Sequence, residues 1–433
     1  MSEFQKDLFL RQIRQEEEKL GISISGSGEE EEGVEDFVAP LPSASRPETR
    51  SSKYVSDIAV AHWSQYFTRD DTFELSKTKY TLQSYYREPS GPSKNPVIFV
   101  AHHGAGSSAF TYGPLAERLV EKFSEQQQND GVDDSEIDTP GFFAFDSRGH
   151  GNSVLLNRAG DATKDDYSVE SLSADFAALI AQFFEAEDFQ RKGIRPSIFL
   201  VGHSLGGSVL TKVVKEELIK DQFVRRCVKG LIMLDIVEEI AIKALGSMQS
   251  YLDNRPNSFG SLKEAVAWHI KSGLIHNEIS AKVSVPYLFE QSSGRYSWLA
   301  DLQATKPFWD GWFRQLSSNF ISIPNSVAKM LMLANHDNLD KYLMIGQMQG
   351  KYQLVVFHND ELPLSSTLTT ATTTINESRQ IGHFIHEDIP TKVALTLMEF
   401  VERNDISSDR SNGNSNPQID FLKKINAKWG VKN

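Results

Sequence analysis

The sequence predicts an α/β fold in which a mostly parallel sheet is flanked by helices. Short apolar runs alternate with helical patterns along the middle of the chain, as where "VIFVAHH" is followed by "PLAERLVEKF". The runs are apolar on both faces, which indicates strands covered by helices on both sides. Alternation of strands and helices is typical of parallel sheets.

Six apolar runs predict the strands, in the order "VIFVAHH", "GFFAFDSRGHG", "SIFLVGHS", "GLIMLDIV", "KMLMLANHD" and "YQLVVFHND". Helical patterns follow the first three of them. The segment at about 238–323 interrupts this rhythm, and we predict a helical cap inserted over the sheet. We expect its aromatic run Trp309–Phe313 to pack in a core, because aromatic side chains mostly serve burial. We expect the same of Met344 and Met348, which follow the cap.

Composition sets the predicted domain boundaries. We predict a short charged helix at the start of residues 1–53. The rest of this segment is rich in Ser, Gly, Glu and Pro, with an acidic run at Glu29–Glu32. Such a stretch buries too little apolar surface to offset its ordering entropy, so we expect a disordered tail. We assign 54–404 to the main domain, about 362–380 to a surface insertion within it, and 405–433 to a flexible tail ending in a short helix.

Charge and cysteine content exclude several classes of protein. The formal net charge of −13 disfavours nucleic acid and anionic membranes as partners. The single cysteine, Cys227, excludes an intrachain disulfide and fits a reducing compartment. Neither a signal peptide nor a membrane-spanning run is evident. Phosphate-binding loops, His-Glu-x-x-His and cysteine clusters are also missing. We therefore expect a protein of the cytoplasm or nucleus with no metal and no cofactor.

The stretch "IFLVGHSLGGSVL" places Ser204 in a G-x-S-x-G pattern between a predicted strand and a predicted helix. At such a turn the serine hydroxyl is exposed above the sheet, and side chains at Gly202 and Gly206 would collide with neighbouring backbone. The helix N-terminus also favours negative charge that develops beside it. We interpret the pattern as the nucleophile elbow of an α/β-hydrolase fold, with Ser204 as the nucleophile.

A serine nucleophile needs a general base, and the base needs an acid that orients it. In this fold the order along the chain is serine, acid, histidine. His383 lies in "IGHFIHEDIP", after the last predicted strand, and follows a glycine that frees the loop. We predict His383 as the base. His386, about one turn further along, is the alternative; otherwise it packs or caps the next helix.

The acid is undecided by the pattern. Asp235 ends the strand "GLIMLD", whereas Asp337 and Asp340 follow the next strand. Both strand ends lie within reach of a histidine at the same edge of the sheet. Whichever carboxylate the site does not use is expected to cap a turn or a helix.

The oxyanion hole is predicted from backbone amides. One belongs to Leu205, directly after the nucleophile. The other belongs to the loop "HHGAGSS" after the strand "VIFVA", where we assign Gly104 and Ala105 and prefer Ala105 as the donor. Glycine-rich backbone lets amides approach a tetrahedral intermediate closely. An ordinary tight turn is the alternative interpretation of this loop.

From about His62 to about Val401, the sequence resembles the eukaryotic protein phosphatase methylesterase family of α/β hydrolases. The similarity extends beyond the elbow to "HWSQYF", "LDIVE", "ALGSMQ", "SLKEAVAWHIKSG" and "FWDGWF". The runs "GQMQGK" and "GHFIHEDIP" are the most telling, because many hydrolases share an elbow and few share these. The loop "HHGAGSS", in place of three glycines, and the insertion before His383 depart from the family pattern.

The resemblance implies an activity, a partner and a set of site residues. Members of the family remove the methyl ester from the C-terminal leucine of the protein phosphatase 2A catalytic subunit, which is both substrate and partner. The family's catalytic serine, aspartate and histidine match Ser204, Asp235 and His383. The family also implies that the phosphatase itself helps to form the competent site.

Two other functions remain open on the sequence. One is a general esterase for small esters or lipids, although the polar tracts here do not suggest the apolar lid of a lipid enzyme. The other is a phosphatase-binding inhibitor whose hydrolase site is secondary or inert. A pure binding protein has no need of an intact serine, histidine and aspartate, which argues against full inertness.

Overall fold

The structure is a computed structural model that describes residues 58–75, 80–133, 136–155, 165–335, 338–359 and 380–405. The predicted N-terminal tail and the C-terminal tail after residue 405 lie outside these ranges. The predicted surface insertion, apart from residue 380, and the candidate acid Asp337 also lie outside them.

Twelve strands are found in the described residues, and nine of them form one large sheet. The strands are β1 (Arg69–Leu75), β2 (Tyr80–Arg87), β3 (Val97–His102), β4 (Gly141–Phe145), β5 (Val154–Leu155), β6 (Ser197–His203), β7 (Val228–Leu234), β8 (Ser258–Phe259), β9 (Phe289–Ser292), β10 (Arg295–Trp298), β11 (Ala328–Ala334) and β12 (Gln353–Phe357). The large sheet has the order β1-β2-β4-β3-β6-β7-β11-β12, and β5 pairs with β2. Neighbours from β4 to β12 run parallel, whereas β1, β2 and β5 pair antiparallel. The predicted mostly parallel sheet is confirmed.

Twelve α-helices are found in the same described residues. They are α1 (Gly113–Asn129), α2 (Val169–Glu187), α3 (Leu205–Lys215), α4 (Gln222–Cys227), α5 (Glu238–Asn254), α6 (Leu262–Lys271), α7 (Glu278–Ser284), α8 (Trp309–Trp312), α9 (Leu316–Ser322), α10 (Lys341–Met348), α11 (Ile385–Asp388) and α12 (Pro390–Asn404). Within the described ranges, no helix is both long and apolar enough to cross a lipid bilayer.

The central strands are apolar at most positions because successive side chains enter two different cores. In β3, Ile98 and Val100 pack in the core beneath α2 and α3. Phe99 and Ala101 of the same strand pack on the opposite face, beneath α1 and α12. Alternate residues of a strand point to opposite faces, so a sheet with helices on both sides requires apolar residues at every position.

The inserted segment is mostly helical but also contains a small sheet, which the sequence analysis did not predict. Strands β8, β10 and β9 pair antiparallel in that order. They are two to four residues long, too short for an alternating pattern to stand out.

The aromatic run at 309–313 packs as predicted, but the methionines do not. Trp309, Trp312 and Phe313 are buried in the main core. The indole N–H of Trp312 donates to the backbone carbonyl of Tyr167 at 2.9 Å, so its polar group is satisfied. In contrast, the exposed fractions of Met344 and Met348 are 52% and 84%, and the prediction that they pack was wrong.

Candidate active site

Ser204 lies on a sharp turn between β6 and α3, with φ 48° and ψ −118°. A non-glycine residue in this region is strained, and such strain is concentrated at functional sites. A methyl group built on Gly202 would lie 2.5 Å from Gly207 Cα, and one on Gly206 would lie 2.1 Å from the carbonyl oxygen of His102. The two glycines that flank the serine are therefore required by the close approach of neighbouring backbone.

The chain leaves three adjacent strands of the sheet through residues with similar positive φ angles. Ser204, Asp235 and Asn335 follow β6, β7 and β11, and their φ angles are 48°, 49° and 58°. The backbone N–H of each donates to a carbonyl of the next strand, at 3.1, 2.8 and 2.7 Å respectively. This repeated step places the three side chains at one edge of the sheet.

Asp235 orients His383. Its Oδ2 lies 2.8 Å from His383 Nδ1, and its Oδ1 accepts the backbone N–H of Ala334 at 2.9 Å. Because a carboxylate only accepts, Nδ1 carries the proton and Nε2 has a free lone pair. Asp340 instead caps α10, where it accepts the N–H of Leu343 at 3.0 Å. Of the two described candidates for the acid, only Asp235 contacts the imidazole.

The hydrogen bonds of the described residues include none between the Ser204 hydroxyl and His383. The His383 side chain is 40% exposed, and its ring centroid lies 4.6 Å from that of His203. Catalytic hydrogen bonds are often long in unliganded structures and form only with substrate bound. The structure therefore brings the predicted acid and the predicted base together, and it leaves the predicted nucleophile unbonded to them.

Neighbouring side chains hold the backbone on either side of His383. Asn335 Nδ2 donates to the Ile381 carbonyl at 2.5 Å, and the Ile381 N–H donates to Asn359 Oδ1 at 2.8 Å. His203 Nε2 donates to the carbonyl of His383 at 2.9 Å. Sequence analysis missed these anchors, because an asparagine after a strand resembles an ordinary turn residue.

The predicted oxyanion donors belong to Leu205, directly after Ser204, and to a loop that approaches Ser204 at Gly104. A methyl group built on Gly104 would lie 3.2 Å from Ser204 Cβ, so the loop "HHGAG" contacts the elbow directly. The backbone N–H groups of Leu205 and Ala105 donate to no acceptor among the described residues. Free amides in this position are the donors that an oxyanion would need.

Two buried histidines that the sequence analysis did not assign hold this loop in place. His103 Nε2 accepts the backbone N–H of Ser147 at 3.0 Å, so its Nδ1–H donates to the carbonyl of Gly104 at 2.7 Å. His150 Nε2 accepts the N–H of Gly106 at 2.9 Å. Burial lowers the pKa of both imidazoles, which keeps them neutral and able to accept.

His386, the alternative base, is fully buried and bonds to Thr111 Oγ1 at 2.8 Å. Its ring stacks on Tyr112 with centroids 4.8 Å apart. Burial lowers its pKa to about 3, so it stays neutral. In the described ranges His386 bonds to no carboxylate, and its contacts are those of a packing residue.

Comparisons with known proteins agree with this fold. The model of the alpha/beta hydrolase family matches residues 97–372. A protein named protein phosphatase methylesterase 1 from Debaryomyces hansenii is 37% identical over 98% of this chain and 97% of its own length. Its namesake from Saccharomyces cerevisiae is 33% identical over 93% of this chain and 94% of its own length.

Solved structures are similar in fold. The crystal structure of E-2-(acetamidomethylene)succinate hydrolase matches 77% of this chain and 99% of its own with a TM-score of 0.52 at 16% identity. A hypothetical protein from Pseudomonas aeruginosa matches 77% of this chain and 99% of its own, with a TM-score of 0.50 at 16% identity. At such identities the likeness concerns the fold alone.

Proposed function

Because the chain belongs to the protein phosphatase methylesterase family and is a carboxylic ester hydrolase of the α/β-hydrolase fold, we propose a specific substrate for it. This substrate is the C-terminal leucine methyl ester of the protein phosphatase 2A catalytic subunit. The observation that carries the proposed chemistry is the 2.8 Å contact between Asp235 and His383 beside the strained turn that presents Ser204. The resemblance to curated methylesterases supports the choice of ester.

In the proposed acylation step, His383 Nε2 takes the proton of the Ser204 hydroxyl as Oγ attacks the ester carbonyl carbon. The resulting oxyanion accepts hydrogen bonds from the free amides of Leu205 and Ala105. Loss of one such donor costs about 2.7–4 kcal/mol of transition-state stabilisation in subtilisin. The tetrahedral intermediate collapses, His383 returns the proton to the leaving oxygen, and methanol departs.

Deacylation reverses these roles. Water gives a proton to His383 Nε2 and attacks the leucyl ester of Ser204. The second intermediate releases the leucine carboxylate, and the proton returns to Ser204 Oγ. Throughout the cycle, Asp235 keeps the Nδ1–H tautomer of His383 and stabilises its cationic form.

A shift of side chains must bring the imidazole of His383 and the hydroxyl of Ser204 together before acylation, because the two are not hydrogen-bonded here. The His383 side chain is 40% exposed, so a docked protein can contact it. We propose that docking of the phosphatase produces this shift, so that the substrate protein completes the triad. A small ester without the phosphatase body would then react slowly.

Release of methanol from carboxymethylated phosphatase tests the proposal, with the Ser204→Ala variant and a fluorophosphonate probe for an activated serine. We expect wild type to release methanol and to react with the probe. Ser204→Ala should do neither, yet it should still bind the phosphatase. The matched control is Ser208→Ala, which removes a hydroxyl one turn further along α3 that bonds to the Trp312 carbonyl at 2.5 Å. This control should retain turnover.

Three outcomes contradict parts of the proposal. Turnover in Ser204→Ala would exclude this serine as the nucleophile. Hydrolysis of small esters together with inactivity on the methylated phosphatase would leave a general esterase. Tight phosphatase binding by a wild-type protein that neither turns over nor reacts with the probe would favour the binding-protein function.

A further inference from the structure

We propose that Asp388 is a positioning residue for His383 and that it ties the backbone of this loop to the inserted segment at His276 and Asn277. The inference rests on the proposed role of His383 as the general base. Asp388 ends the short helix α11, has no exposed surface, and takes no part in the chemistry described above.

The Asp388 carboxylate is the meeting point of backbone amides from two distant parts of the chain. Its Oδ2 accepts the N–H of Gly382, the residue before the base, at 2.7 Å. Its Oδ1 accepts the N–H groups of His276 and Asn277, at 2.6 and 3.2 Å. A buried carboxylate that accepts several amides is firmly placed, because each lost partner leaves a polar group unpaired in the interior.

The His276 side chain adds a fourth contact on the same carboxylate. Its Nδ1 lies 3.1 Å from Asp388 Oδ2. A methyl group built on Gly382 would come within 2.8 Å of His276 Cε1, so the imidazole lies against the backbone just before the base. The glycine before His383 therefore makes room for a side chain from the inserted segment, besides freeing the loop.

These contacts give the inserted segment a direct connection to the base. Gly382, His276 and Asn277 all hold Asp388, so a displacement of the turn at 276–277 moves either the carboxylate or Gly382. His383 is held by Asp235 through its ring and by this network through its backbone. Misplacing a catalytic group by about 1 Å costs on the order of 100-fold in rate.

The test compares Asp388→Asn with Asp221→Asn in the full chain. Asparagine has one oxygen that accepts hydrogen bonds, whereas both oxygens of Asp388 accept them. In the variant, the NH₂ group must therefore face the N–H donor of Gly382 or the N–H donors at 276–277. We expect kcat for methyl ester hydrolysis to fall by about 10- to 100-fold with KM within about twofold of wild type. Amide hydrogen exchange in the peptide that contains Gly382 should become faster. Asp221 also accepts two backbone amides, at the exposed start of α4, and its variant should change neither quantity.

A second variant tests the connection to the inserted segment. His276→Ala removes the imidazole and keeps the backbone donor, so we expect a smaller fall in kcat than for Asp388→Asn. If His276 acts through the carboxylate, the double variant should be no worse than Asp388→Asn alone, since the two changes break one network.

Several results would overturn the inference. They are a kcat for Asp388→Asn within twofold of wild type, unchanged exchange at Gly382, a loss of kcat that only follows the folded fraction, and fully multiplicative effects in the double variant. The substrate proposal fails separately. Slow fluorophosphonate labelling of Ser204 in Asp388→Asn supports the positioning role even where wild type leaves methylated phosphatase intact.

Discussion

The two oxygens of Asp235 have separate tasks at the site. One accepts the N–H of Ala334 and so fixes the carboxylate, and the other accepts a hydrogen bond from Nδ1–H of His383. The side chain is 11% exposed, which keeps water from competing strongly for the imidazole. Its effect on the base therefore depends on which hydrogen-bonding atom faces His383.

Asp235→Asn tests this dependence. The variant keeps the bond to Ala334 when its oxygen takes the place of Oδ1, and its amide group then faces His383. An N–H donor there stabilises the tautomer with the proton on Nε2, which cannot accept the proton of Ser204. We expect kcat to fall by about 10⁴-fold, as for the equivalent change in a serine protease, with little change in thermal unfolding. A loss below about tenfold, measured by methanol release, would show that Asp235 does not set the tautomer.

At the residue scale, sequence patterns identified the chemical groups but not their partners. Ser204 follows from the glycines around it, because the steric demand of the turn is local. The pattern left Asp235, Asp337 and Asp340 open as the acid, since all three follow strand ends. The family resemblance implied Asp235, and the fold brings its carboxylate against His383. His103 and His150 were missed because their role depends on loops that the fold brings together.

The elbow is the element that limits substitution most strongly. The backbone of α3 passes so close to the end of β3 that a methyl group on Gly206 would lie 2.1 Å from a backbone oxygen. Backbone cannot rotate away as a flexible side chain can. The end of β3 and the start of α3 must therefore move apart to make room for the methyl group. Replacement of this glycine is therefore a stability change as well as a change at the site.

Gly206→Ala should lower the free energy of unfolding by about 3 kcal/mol or more, since overpacking here meets backbone. Gly246→Ala is the matched control. It lies in α5 with no atom within 4 Å of the added methyl group, so alanine should stabilise the helix by up to about 1 kcal/mol. Urea unfolding measures both variants. Equal stability of the two would contradict the steric account of the elbow.

At the element scale, prediction succeeded where a strand is buried on both faces. Strands such as β3 and β6 are buried at nearly every position and mostly apolar, and this leaves a strong signal. Strand β1, "RDDTFEL", lies at the edge of the sheet and has exposed charged residues, so its pattern resembles a loop. The short strands of the inserted segment were not predicted for a related reason. Two to four residues contain too few repeats of the alternating polar and apolar pattern.

The whole molecule buries several groups that would be ionised in water. Burial lowers the pKa of His102 to about 4 and raises that of Glu387 to about 8. Glu387 lies between Ser284 of the inserted segment and Thr111 of the main domain, whose hydroxyls bond to its two oxygens. The stability of the fold therefore depends on pH through groups that hold its layers together.

Glu387→Gln should flatten part of that pH dependence. Between the ordinary pKa of 4.5 and about 8, the folded protein keeps a proton that the unfolded chain has lost, so stability falls as pH rises. This slope is roughly 1.4 kcal/mol per pH unit. We expect the free energy of unfolding, measured with urea, to fall less between pH 5 and pH 8 in the variant than in wild type. The difference should be up to about 4 kcal/mol. The buried histidines titrate in the opposite sense below pH 6.5 and are common to both proteins.

The exposed Glu399→Gln, at 60% exposure on α12, is the control for this measurement and should keep the wild-type slope. Identical slopes for wild type and Glu387→Gln would show that Glu387 is ionised in the folded protein at neutral pH.

At the largest scale, sequence patterns predicted the layers and the order of the site residues along the chain. They did not predict how the strands are arranged. Asp235 and His383 are 148 positions apart. They meet because β7, β11 and β12 are neighbours in that order, and the loop that precedes His383 is bonded to Asn335 at the end of β11. Strand order depends on which crossovers pack best, and local patterns have no information on that choice.

The repeated step at the ends of β6, β7 and β11 makes the nucleophile sensitive to events at the rim of the molecule. The backbone N–H of the residue at each step donates to a carbonyl near the end of the next strand. The last acceptor in this series belongs to β12. Fraying of β12 would first remove the hydrogen-bond acceptor of the Asn335 amide. The loss would then spread to the acceptor of Asp235 and finally to that of Ser204. Harm to turnover can thus begin three strands away from any bond that is made or broken.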